Sequence, residues 1–219
     1  MSLKVERSSR RGDRPNREDD AHRSILLPPS LRRRALPPDF YDWHTEEVAL
    51  QLLGSVVCSR SNGALRAGRI VEVEAYLGQI DPACHVKETL TQRTRDVVGR
   101  PGAAYVFKAY GLHHCLNAMT LKEPPYGCVL IRAVEPWDLR NNQPMEHSCE
   151  HPSGPGLVGR YLGVQLSHNG TSLFEGPIAI LDMGERPSRI DCGPRIGIST
   201  WKEAPLRFYD AGSQYVPKR

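Results

Sequence analysis

The chain reads as an α+β fold: a single β-rich domain with a mainly antiparallel sheet and short helices. Three observations predict it. Apolar runs are short and separated by turn signals, of which Asn62-Gly63 is the strongest hairpin signal in the chain. Residues 65–76 alternate, with Val71, Val73 and Ala75 on one face and Glu72, Glu74 and Tyr76 on the other. Helical signals are confined to brief segments. In order, Pro28-Pro29 and Pro37-Pro38 suggest an extended approach to the domain. Thr45 is a candidate N-cap for a helix carrying Glu46 and Glu47 in its first turn and ending near Gly54. Strands are expected over 55–60 and 65–76, then over 104–108. A turn at Tyr110-Gly111 leads into 112–120, and a further β run over 127–134 ends at Pro136. Ser153-Gly154-Pro155 opens a helix with Leu157, Val158, Tyr161 and Leu162 on one apolar face, stopped by Gly163. Later strands are expected over 178–181, 195–199 and 206–209.

Charge divides the chain. Its net charge is +4, but residues 1–36 hold ten Lys+Arg against five Asp+Glu, and the remainder is close to neutral at −1. The expected organisation is therefore a basic, disordered tail over 1–36 and a domain over 37–219. The tail is either a solvated leader or an arm with sequence-independent attraction for phosphate. No run approaches the roughly 18 apolar residues of a membrane helix, and no secretory signal is expected. The six cysteines lack C-x-x-C spacing and are expected to be reduced thiols. His147-Ser148-Cys149-Glu150-His151 offers close metal ligands without a second pair at zinc spacing. A polar loop is the simpler reading, and no metal or cofactor is expected.

The face carrying Glu72, Glu74 and Tyr76 is either solvent or a site. Residues two apart on a strand project about 7 Å apart on one face, so a carboxylate and an aromatic ring stand side by side. Around this pair the chain carries, in order, Glu74-Ala75-Tyr76-Leu77-Gly78, Asp81-Pro82-Ala83-Cys84-His85, Thr94-Arg95-Asp96, Tyr105 to Tyr110-Gly111, Cys115-Leu116-Asn117, Val129 to Ala133, Ser153-Gly154-Pro155-Gly156 and Leu206-Arg207-Phe208-Tyr209. This ordered set, from about Asp39 to the C-terminus, resembles the alkyladenine (3-methyladenine) DNA glycosylase family.

The resemblance implies a curved sheet with a protruding, DNA-intercalating hairpin. It implies a monofunctional base-excision repair enzyme that flips alkylated purines (3-methyladenine, 7-methylguanine, hypoxanthine) and hydrolyses the N-glycosidic bond to leave an abasic site. Such chemistry needs a base-sized slot with aromatic walls, a wedge for the vacated stack and a carboxylate to activate water. By resemblance Glu74 is the general base, and Arg132 and the backbone carbonyl of Ile196 help to hold the water. Tyr76, His85 and Phe107 are pocket walls, Asn117 disfavours guanine, and Tyr110 is the wedge. The implied partner is damaged double-stranded DNA, with no membrane and a monomeric protein. The compartment is a bacterial cytoplasm, at the nucleoid, or a eukaryotic nucleus. Phe107 stands where the family often has Tyr, Lys108 where an aliphatic residue is usual, Leu157 where Lys is frequent and Asp96 where Asn is usual. These departures bear on substrate range, hypoxanthine above all, and on DNA contacts. Two rivals are a non-catalytic damaged-DNA-binding module of the same fold and a metal-dependent hydrolase built on His113, His114 and the segment 147–151.

Overall fold

A computed structural model describes residues 27–61, 64–86, 91–146 and 148–217. Its centre is one antiparallel sheet in the order β3-β4-β5-β2-β1-β7. The strands are β1 (Val56–Ser61), β2 (Ala64–Tyr76), β3 (Ala104–Ala109), β4 (His113–Met119), β5 (Cys128–Asp138), β6 (Gln143–Pro144), β7 (Ile178–Leu181), β8 (Ile190–Gly193) and β9 (Arg207–Asp210). The long β2 changes partner along its length. Its first half pairs with β1, and over residues 72–74 it pairs with β9 instead, while β5 runs along its other edge. Asn62-Gly63, the expected hairpin turn, lies outside the described residues; β1 and β2 pair up to Ser61↔Ala64.

Alternation sorts the sheet into two faces. Val57, Val73, Ala75, Ala104, Val106, Leu116, Ala118, Val129 and Ile131 enter the main core with Leu52, Leu53, Val158 and Leu162. The opposite face of β3 to β5 contributes Tyr105, Met119 and Cys128 to a smaller cluster that Tyr76 and Phe107 join. Val71 departs from the expected parity. Ile70 pairs with Val134, Glu72 with Ala133 and Val73 with Ile131, so Val71 on β2 and Arg132 on β5 are each an extra residue at a paired irregularity. Val71 is thereby turned out of the main core into a cluster with Ala133 and Tyr215. Bulges of this kind re-aim side chains beside functional sites.

Other expectations need correction. Residues 27–36 are not part of a tail: Leu27, Ala35 and Leu36 are buried, Ala35 bridges Leu181, and the Leu36 N–H donates to the Ile180 carbonyl at 2.8 Å. Residues 1–26 lie outside the described residues. Thr45 is the first helical residue of Thr45–Leu52 rather than its cap. Its hydroxyl is committed to that of Thr120 at 2.8 Å, in a buried pair. β5 continues through Pro136 to Asp138, because the proline carbonyl still accepts, here from the Met145 N–H at 2.9 Å. The helix Pro155–Leu162 ends at Gly163 in the left-handed conformation, φ 66°. Its buried face is Val158, Gly159, Tyr161 and Leu162, whereas Leu157 points outward, 38% exposed. This helix lies very close to β4. A Cβ at Gly159 would come within 1.8 Å of the His114 carbonyl oxygen, and one at Gly156 within 2.7 Å of the His113 ring.

Candidate functional site

The second half of β2 carries the two residues the sequence pairs, Glu74 and Tyr76. Glu74 is completely buried, yet its neighbours are polar. Its Oε1 accepts the Ile196 N–H at 2.7 Å and faces Arg132 Nη1 at 3.3 Å, and its Oε2 accepts the Tyr76 hydroxyl at 2.9 Å. A carboxylate offers about four acceptor positions, so one position on Oε2 remains. Burial pushes the Glu74 carboxyl above the usual carboxylate range; Arg132, the Ile196 amide and the Tyr76 hydroxyl oppose this only in part, and the Glu72 charge adds to it.

Three of these partners, Tyr76, Arg132 and Ile196, line a cavity of about 390 Å³. That is within the range of small-molecule sites. Glu74 thus lies one hydrogen-bond layer behind the wall. His85, Phe107 and Asn117 line the same cavity, and Tyr110 stands at its mouth with Lys108. His85 meets Phe107 edge to face, with ring centroids 5.3 Å apart, and Tyr105 lies 5.7 Å from Phe107 on the other side. Asn117 is buried, donates from Nδ2 to the Tyr105 carbonyl at 3.0 Å and accepts from the Cys128 thiol at 3.9 Å. The amide is therefore held at both ends.

All eight sequence-selected residues, Glu74, Tyr76, His85, Phe107, Tyr110, Asn117, Arg132 and Ile196, meet at this cavity or directly behind it. Ile196, whose carbonyl the resemblance assigns to holding the water, also binds Glu74 through its amide N–H. Tyr110 is the tip of the β3–β4 hairpin and is 89% exposed. Tyr110 and Gly111 have φ of 48° and 70°, and the Leu112 N–H donates to the Ala109 carbonyl at 3.1 Å. Two successive positive φ values match the type I′ turn that suits a twisted hairpin. Lys108, next to Phe107 on β3, lines the same cavity and is exposed.

Sequence reasoning missed a second layer. The Arg195 guanidinium lies 4.6 Å from the Tyr76 ring centroid, donates to the Ala75 carbonyl at 3.0 Å and forms a fully buried ion pair with Asp81. Burial alone would raise Asp81, but hydrogen bonds from Arg195 and from the Ala83 and Leu77 amides hold it below its ordinary value. The strand expected over 195–199 is an irregular loop instead. The Arg195 side chain and the Ile196 amide are bound to Asp81 and Glu74, and Gly197 turns the chain at φ 81°. Asp81 and Arg195 are 114 positions apart, and no local pattern could have paired them. Glu72 and Arg207, also outside the expected site, complete the buried layer: Glu72 Oε1 accepts Arg132 Nε at 3.3 Å and Arg207 Nη1 at 3.0 Å. Of the segment 147–151, read as a polar loop, His147 lies outside the described residues, and among those described no group of three or more His, Cys, Asp or Glu is placed to hold a metal ion. No helix among them is long and apolar enough to cross a membrane.

The model of one family, described as methylpurine-DNA glycosylase, matches residues 39–214. The chain is 40% identical over 192 residues to a Methanoculleus marisnigri protein provisionally named 3-methyladenine DNA glycosylase, covering 84% of this chain and 99% of the relative. Proteins with the same provisional name from Legionella pneumophila and Myxococcus xanthus are each 39% identical, over 84% of this chain and 99% and 93% of their own lengths.

Proposed function

Because the chain belongs to the methylpurine-DNA glycosylase family, enzymes that hydrolyse an N-glycosidic bond in DNA repair, we propose a specific assignment of its site. The substrate is duplex DNA carrying an alkylated purine, 3-methyladenine first and 7-methylguanine next. The base leaves the stack and enters the cavity between Tyr76, His85 and Phe107. Tyr110 fills the vacated position. Glu74 accepts a proton from water as that water bonds to the sugar C1′ and the C1′–N bond breaks, giving free base and an abasic site.

The observation that carries this reading is the buried Glu74 carboxylate, whose hydrogen-bond partners are themselves the cavity wall. A base held above its ordinary pKa is closer to working pH and abstracts protons more effectively. Arg132 balances its charge. One face of the Tyr76 ring is occupied by Arg195, which leaves the other for stacking. The pinned Asn117 amide presents a fixed edge to the base, and on this assignment it rejects guanine. Phe107 retains stacking without a hydroxyl, so cationic lesions, which depart readily, are favoured over neutral hypoxanthine.

Glu74→Gln tests the assignment in single-turnover release of 3-methyladenine from dimethyl-sulfate-treated duplex DNA. The expected loss is roughly 10²- to 10⁴-fold, with binding to damaged duplex retained. Release at the wild-type rate would remove Glu74 from the mechanism.

A further inference from the structure

Glu72 is completely buried, on the strand that carries Glu74. A second buried carboxylate beside Glu74 raises the cost of ionising Glu74, since like charges repel more strongly away from water. Its place beside Glu74 calls for a physical role. The contacts supply one. Arg132 divides its guanidinium, with Nε on Glu72 Oε1 and Nη1 on Glu74 Oε1, each at 3.3 Å. Arg207, from β9, holds the same Glu72 oxygen from the far side at 3.0 Å. Arg207 is itself fixed by donation from Nε to the Pro194 carbonyl at 3.0 Å and by stacking on Tyr209 at 4.7 Å. The order across three strands is Arg207, Glu72, Arg132, Glu74, alternating in sign and neutral in sum. Glu72 Oε2 is buried with no hydrogen-bond partner among the described residues. Glu72 therefore serves the arginines through one oxygen only.

We propose that Glu72, backed by Arg207, is a positioning residue of the reaction: it anchors Arg132 and takes a share of its positive charge, which fixes both the place of Glu74 and its basicity. The irregularity at Val71 and Arg132 is what allows this sharing, because it brings Glu72 opposite Ala133 while Arg132 is the inserted residue. The inference rests on Glu74 being the base. The charged and titratable groups around Glu74 are Glu72 and Tyr76 from β2, Arg132 from β5, Arg207 from β9 and Arg195 from the loop that follows β8.

The test is the pH profile of single-turnover 3-methyladenine release by the full chain. Glu72→Gln removes a negative neighbour, so the acid limb moves to lower pH by about one unit. The plateau rate falls roughly ten- to a hundredfold, the usual loss when a partner that orients a reactive group is removed. Arg207→Met leaves Glu72 less neutralised and drawing harder on Arg132, so the limb moves to higher pH. The double variant Glu72→Gln/Arg207→Gln restores neutrality and returns the limb toward the wild-type position. It also keeps the test alive if Glu72→Gln alone does not fold, since removing a buried pair together is tolerated better than removing one member. Opposite shifts in the two single variants, or the return in the double variant, support the proposal. A limb at the wild-type pH in every variant that folds overturns it, whatever happens to the melting temperature. If Glu74→Gln releases base normally, the assignment of the base itself fails. If Glu74→Gln is inactive and the limb never moves, only the role of Glu72 fails.

Discussion

The floor of the site and the tip of the β3–β4 hairpin are opposite solutions to working on a duplex. At the floor Glu72 and Glu74 are fully buried and Arg132 and Arg207 nearly so. At the tip Tyr110 and Leu112 are 89% and 77% exposed. The floor sets charge, which is strong and sharply placed only when water is kept out. On the proposed reading the tip meets DNA, and its ring has that freedom because the fold leaves it uncovered. A change at the floor should therefore damage folding and chemistry together, and a change at the tip should damage engagement alone.

The largest effect that tests this contrast is Arg132→Met. It strips two buried carboxylates of a shared cation, and the expected cost is about 3–5 kcal/mol of stability, read by denaturant unfolding, together with loss of base release. If Arg132→Met is as stable as the parent, the floor is not the coupled unit described. Next comes pH. On the proposed reading Glu74 works ionised, and its folded-state value is raised, so release should fall about tenfold per unit as pH drops through a midpoint above the ordinary carboxylate range. Asp81 is shifted the other way, held below its ordinary value against the effect of burial by hydrogen bonds from Arg195 and the Ala83 and Leu77 amides, so its effect on stability appears at lower pH. Its contribution is present above the unfolded value and is lost as pH falls through the lower, folded one, which acid unfolding of Asp81→Asn against the parent would reveal. A single limb shared by activity and stability would erase the distinction between these two carboxylates.

Tyr110→Ala should weaken release from duplex by a factor corresponding to about 1–3 kcal/mol of stacking, while release from single strands and the melting temperature stay nearly unchanged. Equal loss on both substrates would argue against a wedge. Smallest is Tyr110→Gly compared with Tyr110→Ala. Both lack the ring, but glycine adopts φ 48° without the Cβ penalty, so the glycine variant should be the more stable of the two by about 1 kcal/mol, measured by thermal unfolding.

The parts of this contrast differ in how far they could be read from the chain. The hairpin was legible because turn chemistry is local: Tyr110-Gly111 sits between runs whose pairing it dictates. So were Glu74 and Tyr76, through two-residue spacing and the ordered motifs around them. The fate of Val71 was not, since a bulge depends on both strands and β2 alone shows unbroken alternation. The short segment after β8 read as a strand, but its Ile196 amide binds the Glu74 carboxylate and its Arg195 side chain binds Asp81, both remote in sequence, rather than a neighbouring ladder. Residues 27–36 read as a linker from their prolines, whereas burial of Leu27, Ala35 and Leu36 against β7 depends on a strand far along the chain.

The two glycines through which the helix Pro155–Leu162 touches β4 have a mechanical consequence. With no space for a methyl group between Gly159 and the His114 backbone, the root of the hairpin is clamped rather than hinged. On the proposed reading the probe is stiff and the nucleic acid compliant: the duplex must bend onto the tyrosine. Lesions that loosen local stacking would then be sampled more readily than intact sequence, because the elastic work falls on the DNA.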